Sequence, residues 1–98
     1  MRRIVIAEPA EADLDLIWDH IAADSPAHAH RVIREIRSAI SLIGLMPGMG
    51  HPRDDVKDQA FRFWSVYSYL IAYQYGDEEV VVYKVIHGAR DLRDVFGD

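Results

Sequence analysis

The chain has 98 residues, of which 50% are hydrophobic and 28% are charged, and it contains no cysteine. This length fits one domain, 1–98, and the abundance of apolar residues argues against intrinsic disorder. The net charge of −5 disfavours nucleic-acid binding through a general positive field. The lack of cysteine excludes disulfides and thiolate metal sites and suits a reducing cytoplasm. We expect a soluble, cytoplasmic protein, because no apolar run approaches the ~18 residues of a membrane span.

The chain opens with a predicted strand and a predicted helix. Residues 3–7 are mostly β-branched, which suits a strand, and Glu8-Pro9 ends it because proline favours the first turn of a helix. From Pro9 to Ala23 the apolar residues follow helical spacing, which predicts one buried face. The residues of this face are Leu14, Ile17, Trp18 and Ile21.

A second amphipathic helix follows almost at once. Ser25-Pro26 combines a residue that caps helices with one that starts them, and the helix is expected to end between Gly44 and Met46, before a run rich in proline and glycine. Apolar residues from Val32 to Ile43 lie on one arc of this helix. The opposite arc carries Arg31, Arg34, Arg37, Ser38 and Ser41. The short connection predicts an antiparallel helix hairpin.

The second half of the chain has the period of β-structure. Strands are predicted at Phe61–Trp64, Tyr69–Tyr75 and Val80–Ile86, with a turn at 76–79 between the last two. Only Lys84 interrupts the apolar character of the third of these strands, which predicts a central position in the sheet. Residues Asp91–Phe96 are expected to form one helical turn or to stay loose.

These elements predict an α+β domain of order β-α-α-β-β-β, with the helix hairpin packed on one face of a small antiparallel sheet. The ordered motifs resemble the ParE branch of the RelE/ParE superfamily, the toxins of bacterial type II toxin–antitoxin pairs. The residues that carry the resemblance are Ala12-Asp13-Leu14, 17–22, Asp24-Ser25-Pro26, 47–50 with Arg53, 68–73 and 85–91.

The resemblance implies a partner and a target. Toxins of this kind are held inactive by a small antitoxin, here one similar to ParD, whose C-terminal segment wraps over the toxin while its N-terminal part binds operator DNA. The ParE branch poisons DNA gyrase, and the RelE branch of the same fold cuts mRNA in the ribosome. The fold alone does not separate the two, so the site must decide. No cofactor, metal ion, membrane contact or direct DNA binding by this chain alone is expected.

A ribonuclease would need a base, an acid and a cation over the phosphate. His87 is the candidate base, and either Arg62 or Arg90 could hold the phosphate. The resemblance to the ParE branch implies a structural role for the block 87–91. RelE-type members are also generally rich in Lys and Arg, whereas this chain is acidic, and the aspartates next to Arg53 would weaken a grip on phosphate. No catalytic residues are therefore expected.

Two surfaces are predicted to bind the antitoxin. The first is the arginine strip of the second helix, represented by Arg31 and Arg34, which could instead be a solvated face. The second is a tyrosine face on the strand Tyr69–Tyr75, where Tyr69, Tyr73 and Tyr75 lie with Ile71 on one side, and Leu70 and Ala72 lie on the other. If the aliphatic side meets the helices, these tyrosines point outward, as suits a partner interface.

The expected activity is inhibition of gyrase by protein contact rather than catalysis. Arginines in loops and near the C-terminus, Arg53, Arg90 and Arg93, are the predicted target-binding residues. Two alternatives remain open: a ribosome-dependent mRNA endoribonuclease, and a partner-binding module without toxicity. Tyr67 bears on the module without toxicity, because it stands where similar toxins often have a glycine. If the turn needs a positive φ at this residue, tyrosine would be strained there.

Overall fold

The computed structural model describes residues 1–97 and shows a helix hairpin on one side of a four-stranded sheet. The order of elements is β1 (Arg3–Ile6), α1 (Glu8–Ala22), α2 (Pro26–Leu45), a single 3-10 turn (Pro47–Met49), β2 (Arg62–Val66), β3 (Tyr69–Tyr75), β4 (Glu79–His87) and α3 (Leu92–Phe96). The predicted elements are all present. Within residues 1–97, no helix is long and apolar enough to cross a membrane.

The helix hairpin forms where the sequence places its caps. Pro9 lies in the first turn of α1, and the Ser25 hydroxyl accepts a hydrogen bond of 3.2 Å from the amide of His28 at the start of α2. The inner faces of both helices are buried against one face of the sheet. This core contains Ala10, Leu14, Ile17, Val32, Ile36, Ile40 and Ile43 of the helices and Ile71, Tyr73, Val80, Val82 and Val85 of the strands.

The strand order is β1-β4-β3-β2, so β4 is central, as its apolar sequence predicts. β2, β3 and β4 are antiparallel neighbours, but β1 pairs parallel to β4, with Ile6 opposite Val82. The sheet is therefore mixed rather than wholly antiparallel. Parallel neighbours need a long crossover connection between them, and the helix hairpin on one face of the sheet is part of the connection from β1 to β4.

The pairing of β3 with β4 contains an irregularity. Ala72 lies opposite Lys84 and Tyr73 lies opposite Val82, so Tyr83 is an extra residue on β4. Such a β-bulge changes which face later residues occupy. As a result, Val82 and Val85 both reach the helix-side core although they are three residues apart.

The second face of the sheet is also covered. Leu70, Ala72 and Ile86 pack there against the segment that precedes β2 and against α3. The covering residues are Val56, Phe61, Leu92, Val95 and Phe96. The Asp91 carboxylate accepts a hydrogen bond of 3.0 Å from the amide of Arg93, which caps α3. Residues 92–96 thus form the helical turn that the sequence allows.

This arrangement corrects the predicted orientation of β3. Tyr69, Ile71 and Tyr73 pack on the helix side, and Leu70 and Ala72 pack on the other side. The prediction of an outward tyrosine face is wrong. The prediction assumed that one side of β3 faces solvent, but the protein covers both sides of this strand. When both sides are buried, the alternation of side chains along the strand does not reveal which residues face the helices.

Candidate functional site

A groove of about 270 Å³ lies where α1 approaches the ends of β3 and β4. It is lined by Asp13, Leu16, Ile17, His20, Tyr69, Val85, Ile86, His87 and Arg90. Leu16 is 67% exposed, which leaves an apolar side chain beside two histidines and an arginine. We call this the sheet-end groove. It brings together three of the predicted site residues, Tyr69, His87 and Arg90.

Asp13 holds one wall of the sheet-end groove in place. Its Oδ1 accepts a hydrogen bond of 2.9 Å from Nζ of Lys84, and its Oδ2 accepts one of 2.9 Å from the amide of Val85. The last residue of β1 lies opposite Val82, so β4 has no β1 neighbour beyond that point. Asp13 therefore satisfies a backbone donor that the short β1 strand leaves unpaired.

The sequence analysis did not identify Asp13 as a structural residue. The signal that could have revealed it is Lys84, the one charged residue in an otherwise apolar central strand. A lysine in such a strand needs a carboxylate partner. Asp13 is next to Leu14 of the buried helix face, which makes it a natural candidate.

His87 is exposed, and its ring is already engaged. It meets the Tyr69 ring edge-on at 5.5 Å between centroids. Its Nδ1 accepts a hydrogen bond of 3.1 Å from the amide of Ala89. A neutral histidine with Nδ1 as acceptor carries its proton on Nε2, so this bond occupies the basic lone pair that a general base would use.

Arg62 lies far from His87. In the register of β3, Arg62 is opposite Tyr73 while His87 is opposite Tyr69, a separation of about 13 Å along the strand. The Arg62 guanidinium donates a hydrogen bond of 2.7 Å to the carbonyl of Gly50 and lies 5.9 Å from the centre of the Tyr75 ring. Of the two candidate phosphate ligands, the structure therefore brings Arg90 but not Arg62 close to His87.

The three predicted target-binding arginines differ in their partners. Arg53 donates two hydrogen bonds, of 3.0 and 3.1 Å, to the carboxylate of Asp55. These bonds hold the pKa of Asp55 below its usual value and raise the pKa of Arg53. Arg93 makes a similar pair with Asp91, whose pKa is lowered mainly by the hydrogen bond from the Arg93 side chain. Within residues 1–97, the guanidinium of Arg90 makes no ion pair or hydrogen bond.

Of the predicted antitoxin-binding tyrosines, Tyr73 is fully buried within this chain. Its hydroxyl donates a hydrogen bond of 2.6 Å to the carbonyl of Pro47 and accepts one of 2.9 Å from the amide of Gly50. Burial raises its pKa. Tyr73 therefore anchors the loop after α2, and its assignment as a surface contact is wrong. A side chain at residue 50 would come within 2.5 Å of the Tyr73 hydroxyl, so only glycine fits there.

Tyr75 and Tyr69 remain accessible to different degrees. Tyr75 is exposed, and the guanidinium groups of Arg2 and Arg62 lie 5.4 and 5.9 Å from the centre of its ring. Such distances are typical of cation–π contacts. Tyr69 is half-buried in the sheet-end groove. Their role in antitoxin binding stays a prediction.

A second groove, of about 440 Å³, runs between the outer faces of α1 and α2. We call it the hairpin groove; it is lined by Trp18, His30, Ile33, Arg34, Arg37, Ser38 and Ser41. Trp18 is 37% exposed, although its helical spacing predicts a core residue. Arg34 lies in the groove, and Arg31 is exposed on the same helix but does not line it.

Neither groove shows the donor set of a metal site. In the part of the chain that the structure describes, no three histidine, aspartate or glutamate side chains cluster closely enough to hold a metal ion. The chemistry available at the sheet-end groove is that of an exposed cation beside apolar and aromatic groups. Such a surface is suited to contact with another protein.

Comparisons with known proteins agree on one family. The family described as "ParE toxin of type II toxin-antitoxin system, parDE" matches residues 4–92. Toxin ParE3 of Caulobacter vibrioides is 24% identical over 98 residues, covering 99% of this chain and 97% of that protein. The solved structure described as the chromosomal ParDE TA system from P. aeruginosa has a similar fold. Its TM-score is 0.74 at 18% identity, with 89% of this chain and 96% of that chain covered. The chain therefore belongs to the ParE toxin family of type II toxin–antitoxin systems.

Proposed function

We propose that this ParE-family toxin inhibits DNA gyrase by protein–protein contact and is neutralised by a cognate ParD-like antitoxin. Membership of the family gives the toxin role, and the structure that resembles this chain is described as a ParDE system. The choice of gyrase over the ribosome depends on the chemistry that the chain can offer. The observation that carries this choice is the hydrogen bond from the Ala89 amide that already engages Nδ1 of His87.

His87 is poorly arranged for catalysis. Its Nδ1 lone pair accepts the hydrogen bond from Ala89. Of the two candidate phosphate ligands, Arg90 shares the sheet-end groove with His87, whereas Arg62 is committed to the carbonyl of Gly50 about 13 Å away along the strand direction. A nuclease needs base and cation within hydrogen-bond reach of one phosphate. An inhibitor that works by binding has no such requirement.

The distribution of charge supports the same choice. The chain carries a net charge of −5, and bidentate pairs with Asp55 and Asp91 offset the charges of Arg53 and Arg93. Gripping an RNA backbone requires cations that are free to contact phosphates. A protein target needs a few cations set among apolar groups, which fits the sheet-end groove.

Within this proposal, Arg90 is the strongest of the three target-binding candidates. It lines the sheet-end groove beside the exposed side chain of Leu16 and makes no ion pair within residues 1–97. Arg53 would first have to leave Asp55 before it could bind a new carboxylate. The Arg90–Leu16 surface is therefore our proposed contact with gyrase.

Expression of the toxin in bacteria that lack the antitoxin tests the proposal. We expect filamentation and DNA-damage signalling while protein synthesis continues, and restored growth when the antitoxin is co-expressed. Immediate loss of translation with cut mRNA would instead favour the ribonuclease alternative, which the shared position of His87 and Arg90 keeps open. Normal growth would favour a binding module without toxicity.

A further inference from the structure

The open side of the sheet-end groove is a single stripe of α1. Leu16 and His20 are four residues apart, so they are neighbours on one helix face, and both are exposed. The buried residues that line the groove are all apolar and form its floor: Ile17 of α1 with Val85 and Ile86 of β4. An exposed leucine beside such a floor is the kind of side chain that a bound partner covers.

The polar side chains of the sheet-end groove offer hydrogen-bond donors. Arg90 carries five N–H donors in a planar fork, and its guanidinium makes no ion pair or hydrogen bond within residues 1–97. His87 accepts at Nδ1, which leaves an Nε2–H to donate. The carboxylate of Asp13 is already engaged, because one oxygen accepts from Lys84 and the other from the amide of Val85. A partner must therefore bring its own acceptor.

The sheet-end groove is positive although the whole chain has a net charge of −5. Asp13 and Lys84 offset each other in its wall, with 2.9 Å between their charged atoms. The acid next to Arg90 in sequence, Asp91, is paired with Arg93. The charge of Arg90 therefore has no carboxylate to offset it within residues 1–97. Because the rest of the chain is net acidic, an anionic partner is attracted to this groove rather than to the remaining surface.

The apolar residues of the groove identify the kind of anion. A guanidinium fork can bind either a phosphate or a carboxylate. A phosphodiester backbone would leave Leu16 and the apolar floor uncovered. A peptide segment can place a carboxylate on Arg90 and an apolar side chain over Leu16 at the same time.

From these observations we propose that the sheet-end groove binds an acidic segment of gyrase. In this segment an aspartate or glutamate meets Arg90, and a neighbouring apolar side chain covers Leu16. This inference rests on the proposed inhibition of gyrase by protein contact, and it adds the chemistry of the surface that the toxin recognises.

Carbodiimide coupling tests for the carboxylate directly, because it joins a lysine amine to a carboxylate in contact with it. Arg90→Lys keeps the positive charge and supplies the amine. The chain has two lysines of its own, Lys57 and Lys84, and Lys57 is exposed outside the groove, so it is an internal control. With purified gyrase subunits, the variant should gain a cross-link from residue 90 to an aspartate or glutamate of gyrase, located by peptide mass spectrometry. Neither the parent toxin nor Lys57 of the variant should form this cross-link.

Affinity measurements test the charged and the apolar contact separately. Arg90→Glu should weaken binding to gyrase about tenfold or more, since it replaces attraction by like-charge repulsion. Leu16→Ala should weaken binding about fivefold or more. Leu42→Ala removes the same side chain from an exposed position of α2 outside the groove and should change the affinity less than about twofold.

The outcomes separate this inference from the function on which it rests. Gyrase that binds the parent toxin, gives no cross-link from residue 90 and binds Arg90→Glu as tightly as the parent would overturn the inference and leave the proposed function intact. Cross-links from residue 90 to a second copy of the toxin in place of gyrase would also overturn it. Binding of a short RNA that depends on Arg90, without a cross-link to gyrase, would assign the groove to phosphate instead. Parent toxin that binds neither gyrase subunit would count against the proposed function itself.

Discussion

Asp13 on α1 and Lys84 on β4 form an ion pair of 2.9 Å whose side chains are only 15% and 26% exposed. The second carboxylate oxygen of Asp13 accepts the Val85 amide, so one side chain satisfies both a charged donor and a backbone donor. Because β1 stops opposite Val82, this contact replaces strand pairing at the point where β4 enters the sheet-end groove. It links the helix hairpin to the strand that carries His87.

Asp13→Ala should lower the free energy of unfolding by about 2–3 kcal/mol, because it leaves a partly buried lysine and a backbone amide without their acceptor. Asp15→Ala is the control: it makes the same change on an exposed position of α1 and should stay within about 0.5 kcal/mol of the parent. Urea unfolding measures both. Equal effects of the two substitutions would show that the Asp13 contact contributes nothing specific.

Tyr73→Phe should cost about 1–2 kcal/mol near pH 7, because the carbonyl of Pro47 and the amide of Gly50 lose their partner. Tyr83→Phe, at an exposed position, should have little effect. Burial raises the pKa of Tyr73, so in alkali the unfolded chain ionises this group before the folded chain does. The stability that Tyr73 confers is therefore complete below pH ~10 and declines as the pH rises above that value.

The pH dependence gives the Tyr73 prediction a second check. Tyr73→Phe has no such proton to lose, so the gap in unfolding free energy between parent and variant should narrow above pH ~10. A gap that stays constant from pH 7 to alkali would contradict a buried, neutral hydroxyl at this position. The Tyr83→Phe variant controls for alkaline effects on the rest of the chain.

Tyr67 occupies the turn between β2 and β3 with a φ of +54°, a left-handed conformation that costs a non-glycine residue about 1–2 kcal/mol. The sequence analysis expected a positive φ to be strained at this residue, and the chain nevertheless adopts it. Tyr67→Gly should therefore raise the free energy of unfolding by about 0.5–1 kcal/mol, after allowing for the greater entropy of glycine in the unfolded chain. Tyr67→Ala should bring no gain, since it keeps the strain and loses the ring contact with His28. Destabilisation by glycine would show that the ring contact outweighs the strain.

His87→Gln removes the general base that the ribonuclease alternative requires but leaves an acceptor for the Ala89 amide. We expect its inhibition of growth to match that of the parent toxin. Arg90→Ala should weaken inhibition, whereas Arg53→Ala, which removes a cation already paired with Asp55, should have a smaller effect. Dose–response curves from a titratable promoter compare the variants. Loss of toxicity in His87→Gln, with a normal fold, would favour the ribonuclease.

Helical periodicity and capping residues predicted the helix hairpin closely, because α1 and α2 each bury a single face. The sequence also placed the central strand, since only Lys84 interrupts its apolar run. The faces of β3 could not be predicted in the same way. Both sides of that strand are buried. The bulge at Tyr83 changes which face the later residues of β4 occupy, and no residue type in the sequence indicates it.

The candidate site was predictable only in part. His87 is the last residue of β4 and Arg90 comes three residues later, so their proximity could be read from the chain, whereas the distance to Arg62 depends on strand register. Trp18 follows the spacing of core residues but borders the hairpin groove and is partly exposed. Its exposure depends on how α1 packs against α2, which helical spacing alone does not predict. The pairing of Arg53 with Asp55 is local, and the aspartates around it were already visible in the sequence.

The most direct test of the account uses purified toxin in two parallel assays, DNA supercoiling by gyrase and cell-free translation of a defined mRNA. The account predicts that the toxin blocks supercoiling at concentrations at which translation proceeds and the mRNA stays whole, and that the antitoxin restores supercoiling. Unimpaired supercoiling together with mRNA cut in a ribosome-dependent manner would contradict it.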